Sequence, residues 1–160
     1  MKRSIAYGST LAAVASIAVV GAGWVSAPSA DAHCQVPCGI YDDAARITRM
    51  REDATTIAKA IANIHQLAGG HGAPAVNQAV RWINTKEEHA SNIIEVVSQY
   101  FLTQKVKPVA AGAEGYDAYL KSLADHHAVM VAAMKTKQNV DAEFVDELNR
   151  AIDGLAVHYK

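Results

Sequence analysis

Ile47-Thr-Arg-Met50-Arg-Glu-Asp-Ala54-Thr-Thr-Ile57-Ala-Lys-Ala-Ile61-Ala-Asn-Ile64 places its apolar residues at alternating steps of three and four. That spacing is the period of an α-helix burying one face, and Gly69-Gly70 beyond it is a good C-terminal stop. Three more stripes follow with the same step. The second is Val76, Val80, Ile83, Glu87, Ala90, Ile94, Val97 and Phe101, opened by Pro74 and closed before Pro108. The third is Tyr116, Leu120, Leu123, His127, Met130 and Met134. The fourth is Val145, Leu148, Ile152, Leu155 and Tyr159, entered through Asn139 or Asp141 as N-cap. No stretch alternates long enough for a strand. Short linkers favour antiparallel neighbours, so the expected fold is all-α, an up-down-up-down four-helix bundle. Residues 33–41, with Pro37 and Gly39, form a hook ahead of it.

Composition agrees with one packed domain. Of 160 residues 51% are hydrophobic and 19% charged, and the net charge of −1 offers no field for nucleic acid or an anionic membrane. Residues 1–32 are a separate object. Lys2 and Arg3 precede an uncharged apolar run from Leu11 to Val25, then Pro28 and Ala30-Asp31-Ala32. A basic head, a short apolar centre and an A-x-A end describe a cleaved signal peptide, with His33 as the first mature residue. The rival is an uncleaved membrane anchor, for which the run is short and rich in Ala and Gly. Cleavage implies export to a periplasmic or extracellular space, with a signal peptidase or processing protease as partner and no membrane contact in the mature form. A leader acting only as a propeptide would leave the protein cytoplasmic. Loss of Lys2, Arg3 and Asp31 takes the net charge from −1 to −2.

Two stripe positions are polar, Glu87 and His127. A ferritin-like di-metal site needs Glu-x-x-His, which puts two ligands on one helix face. The residues three beyond each Glu are Thr55, Ala90, Ser91, Ser98, Asp117, Asp146 and Arg150, and none is His. Glu87 and His127 are therefore expected in interior polar contacts or facing a subunit interface. His65, His71, His89, His126 and His158 likewise match no metal-binding spacing. Trp82, Ile93 and Val96 are expected on second apolar faces, which predicts assembly.

The unusual chemistry lies in His33-Cys34-Gln35-Val36-Pro37-Cys38-Gly39-Ile40-Tyr41. A cut before His33 gives that residue a free α-amine beside its imidazole. The amine, the Cys34 amide and the Cys34 thiolate form fused chelate rings, and a turn at Pro37 returns the Cys38 thiolate. The set is square-planar N₂S₂ with the imidazole axial, which suits Ni(II) or Cu(II) better than tetrahedral zinc. A Cys34–Cys38 disulfide is natural in an exported protein. A zinc site lacking a fourth ligand and a redox dithiol with an unusual spacing also compete for the pair.

The hook resembles that of the nickel superoxide dismutases, H-C-x-x-P-C-G-x-Y, at every fixed position from His33 to Tyr41. Similarity extends through Trp82-Ile83-Asn84-Thr85-Lys86-Glu87-Glu88-His89-Ala90 and Ser98-Gln99-Tyr100-Phe101. The resemblance implies a four-helix domain over 33–160, a homohexamer, one nickel ion per subunit and superoxide as substrate. It assigns His33, Cys34 and Cys38 to the metal, Tyr41 to the vacant axial side and Tyr100 to a second gating role. Gln35 replaces the usual Asp. The Glu and Arg that orient the imidazole in the family fall near Thr48 and near Thr85 or His89, so those partners stay unassigned.

Dismutation needs a metal that both accepts and gives an electron. Two thiolates and an anionic amide make the Ni(III)/Ni(II) couple reachable, so that one superoxide leaves as dioxygen and another as hydrogen peroxide. A negative mature chain repels superoxide slightly, and local steering is expected from Arg46, Arg49 or Arg51. The competing function is an exported, non-enzymatic metal-binding or thiol redox-sensing bundle.

Overall fold

The computed structural model describes residues 43–159. The leader (1–32) and the hook, with His33, Cys34, Cys38 and Tyr41, lie outside the described residues. Four helices make up the rest: α1 (Asp43–Leu67), α2 (Ala73–Glu95), α3 (Tyr116–Gln138) and α4 (Ala142–Ala156). No strand occurs among the described residues, and no helix there is long and apolar enough to cross a membrane. α2 continues without a break into a π-helical segment, Val96–Lys105.

The boundaries follow the local chemistry. Pro74 occupies the first turn of α2, where its missing N–H costs nothing, and α1 stops before Gly69-Gly70. Gly115 caps α3 at φ 84°, a left-handed conformation suited to glycine. Asp141 stands at the N-cap of α4 as expected, but its side chain makes no capping hydrogen bond.

Each helix packs on its two neighbours around a square, α1 on α2 and α4, α3 on α2 and α4. Contacts between polar groups fix their directions. Asp43 and Asp53 on α1 meet Lys105 and His89 respectively. Lys86 meets the end of α3 at Thr136, and Lys135 meets Glu147 near the start of α4. Arg51 reaches Asp153, while His65 Nε2 donates to the Val140 carbonyl at 2.7 Å. All neighbouring helices are thus antiparallel. The start of α1, the π segment, the start of α3 and the end of α4 share one end of the bundle.

The first and fourth stripes face the core as expected: Ile47, Met50, Ala54, Ile57 and Ile61 are buried, as are Val145, Leu148, Ile152 and Leu155. Two other expectations are corrected. On α3 the buried line is His126, Val129, Ala132, Ala133 and Thr136, one residue round from the predicted stripe. His127 is exposed, as are Leu120 and Met134. Ala132 and Ala133 take two of the inner positions, so bulk does not mark the inner face. On α2 the first half of the stripe is exposed, Val76 at 57%, Val80 at 48% and Ile83 at 42%, whereas Ile93 is fully buried. Ile93 therefore belongs to the core, and Trp82 and Val96 are half-buried.

The π segment explains the burial of two successive aromatic residues, Tyr100 and Phe101. Its wider turn bonds each residue to the fifth before it, as in Val106 N–H to the Phe101 carbonyl at 2.9 Å. Side chains repeat the pattern: Thr103 Oγ1 donates to the Ser98 carbonyl, and Gln104 Nε2 to that of Gln99.

Candidate active site

Residues 33–42 run directly into the start of α1, and Tyr100 stands at that end. Its ring is buried edge-on to Phe101, at a centroid distance of 5.2 Å, and its hydroxyl donates to Asp43 Oδ1 at 2.6 Å. Lys105 holds the other carboxylate oxygen of Asp43 at 2.9 Å. The Arg46 guanidinium lies over the Tyr100 ring, 4.2 Å from its centroid, a cation–π contact. Burial raises the Tyr100 pKa above 10.0, and the hydrogen bond and charge of Asp43 add to the effect; Lys105 and Arg46 oppose it. Tyr100 is therefore a neutral donor across the physiological range.

Beside this phenol a cleft of about 240 Å³ opens between α1 and the end of α2, lined by Arg46, Arg49, Asp53, Asn92, Glu95 and Tyr100. Two of the three arginines singled out in the sequence thus face it. Arg51 does not line it and pairs with Asp153 on α4 at 2.7 Å. Across the helix pair His89 Nδ1 donates to Asp53 Oδ1 at 2.6 Å. Thr48 and Thr85 spend their hydroxyls within their own helices, on the carbonyls of Ala44 and Arg81.

The sequence singled out Tyr100 as an expected site residue but not the groups that hold it. A buried phenol requires an acceptor, and Asp43, two residues past Tyr41, was the available signal. Glu87 pairs with Lys86 and Lys137 at 3.0 and 3.7 Å, a polar contact as expected, but with its side chain 40% exposed rather than interior. Among the described residues no three His, Cys, Asp or Glu side chains stand together to hold a metal ion. His33, Cys34 and Cys38, the nickel donors expected from the sequence, lie outside the described residues.

Fold and site define a small four-helix protein with a tyrosine-walled, arginine-bearing cleft where its N-terminal segment joins the bundle. The family model described as nickel-containing superoxide dismutase matches residues 28–160. The chain belongs to that family, and so is a superoxide dismutase, an oxidoreductase for which the family implies a nickel cofactor. Comparisons with curated proteins and with solved structures return no match.

Proposed function

We propose that the mature chain begins at His33 and disproportionates superoxide with one nickel ion per subunit. His33 supplies amine and imidazole, Cys34 its amide nitrogen and thiolate, and Cys38 the second thiolate. Nickel bound by these donors supplies a one-electron couple that superoxide can drive in either direction. The chain's own groups handle the anion and its protons. Arg46 and Arg49 draw a small anion toward the cleft. Tyr100, fixed by Asp43 and kept protonated, orders water there and donates a hydrogen bond, and Tyr41 does the same from the hook. The observation that carries this reading is the placement of Tyr100 at the end of α1 that the hook enters.

Export by the leader and assembly into a homohexamer belong to the same proposal. The exposed Val76, Val80 and Ile83 support an interface. The N-terminus gives the direct test. A chain starting at His33 gains superoxide-removing activity with nickel but not with zinc, whereas one carrying an extra residue before His33 does not, because its amine has become a poorly donating peptide nitrogen. Equal nickel-dependent activity in the two chains removes the amine from the ligand set.

A further inference from the structure

A second phenol sits at the same end of the bundle and has no part in the reading above. Tyr159 packs its ring on Phe101 with 4.2 Å between centroids, and its hydroxyl lies 2.7 Å from His126 Nε2. His126 is fully buried, with Nδ1 2.7 Å from the carbonyl of Ser122. A carbonyl only accepts, so Nδ1 carries the proton of the neutral imidazole. Nε2 then presents its lone pair, and the Tyr159 hydroxyl is the donor. Burial keeps His126 in the neutral form, against the opposing effect of the Ser122 bond. Burial, followed by the charge of Asp43, raises the Tyr159 pKa far above 10.0. The phenol therefore does not ionise by itself. Loss of an electron makes a phenol strongly acidic, and the proton then has one short path, to His126.

Ring contacts lead away from this pair in both directions. Tyr100 touches Phe101 on one side, and on the other His126 stacks on His158 at 6.3 Å, whose Nε2 donates to Asp125 at 2.7 Å. Tyr159 also forms part of the wall of a cavity of about 320 Å³, together with Lys105, Lys107 and His158. Small anions attracted by the lysines meet that wall.

We propose that Tyr159, with His126 as its proton acceptor, is a redox-active tyrosine that consumes one-electron oxidants derived from hydrogen peroxide. With carbonate radical anion as oxidant, one electron passes from Tyr159 to the radical, which becomes carbonate. The phenolic O–H bond breaks and an N–H bond forms at His126 Nε2. The products are a neutral phenoxyl and an imidazolium whose Nδ1–H still donates to Ser122. Superoxide reverses the change: it gives up one electron and leaves as dioxygen, while the proton returns from Nε2 to the phenoxyl oxygen. The oxidation stands on the Tyr159–His126 geometry alone; the return step rests on the chain working in the presence of superoxide, as its proposed function requires.

Pulse radiolysis of the chain starting at His33, nickel-loaded and after nickel removal, with carbonate radical as the probe, tests this. A long-lived tyrosyl absorption is expected in both forms, lost in Tyr159→Phe and shortened in His126→Gln, where the phenol remains but the strong base does not. In unmutated protein frozen after the pulse, the electron paramagnetic resonance signal loses an exchangeable hydrogen coupling in deuterium oxide. Superoxide added after the pulse discharges the radical. Equal yield and lifetime in the unmutated chain and in Tyr159→Phe overturn the proposal, whether or not His126→Gln folds. A radical indifferent to superoxide overturns the return step. A nickel-loaded chain without dismutase activity that still forms the Tyr159 radical overturns the proposed function and leaves the oxidation standing.

Discussion

Tyr100 donates its hydroxyl to Asp43 at 2.6 Å, and the value of that contact is measurable. Tyr100→Phe keeps the edge-on packing against Phe101 and leaves Asp43 held by Lys105. The expected loss of stability is about 1 kcal/mol. Nickel content should be unchanged and dismutase activity lowered, a combination that thermal melts, metal analysis and rate measurements separate. His126 sets a pH dependence of opposite origin. Its pKa is lowered below 6.5 by burial, so the unfolded chain binds the proton more readily than the folded one. Its contribution to stability is therefore complete above about 6.5 and lost as pH falls toward the lowered value. Urea midpoints should decline through that window, and less so in His126→Gln. The sequence singled out Tyr100 by its aromatic context. It did not reveal His126, because adjacent histidines differ only by which one the helix turns inward, and the apolar stripe favoured His127.

At the scale of elements, the junction of α2 with the end of α3 is held by a buried cation. Lys86 is 3% exposed and donates to Glu87 at 3.0 Å and to the carbonyls of Thr136 and Lys137 at 2.7 and 2.5 Å. These carbonyls lie in the last turn of α3, where no helical donor remains and negative dipole charge collects. Lys86→Met fills the same space and leaves them unanswered, with an expected cost of about 2–4 kcal/mol. A lower urea midpoint with an unchanged slope would show it. Nothing in Lys86-Glu87-Glu88 announces this role, since a charged run reads as a solvated face. The π segment was equally hidden: apolar spacing located the end of α2, but i-to-i+5 bonding leaves no periodic mark over ten residues. The α1 and α4 stripes were legible because their inner faces are made of Ile, Leu, Met and Val. On α3 small Ala and polar His and Thr take that place.

For the molecule as a whole, the exposed Val76, Val80 and Ile83 lie along the first half of α2. Such a row on an otherwise packed helix is expected to be covered by assembly. Val80→Asp should shift light-scattering mass toward the monomer while helical content persists; a monodisperse monomer before mutation contradicts the assembly. The four-helix architecture was readable from spacing and short linkers alone, and nine residues of hook are what point to the expected metal donors. The arrangement around Tyr100 was not readable, because it joins Asp43 and Arg46 on α1 to Tyr100 and Lys105 on the π segment, and only antiparallel packing brings the two segments together.

The same alternation of direction separates two inheritances. Tyr100, Asp43, Tyr159 and His126 gather where the N-terminal segment joins, while Lys86 and His65 tie the helices together toward the opposite end. A saturation scan selected only for soluble expression should therefore map its intolerant polar positions to the far end, and one selected for survival under oxidative stress to the near end. Sequence drift can then retune the chemistry of one end while the scaffold is policed from the other.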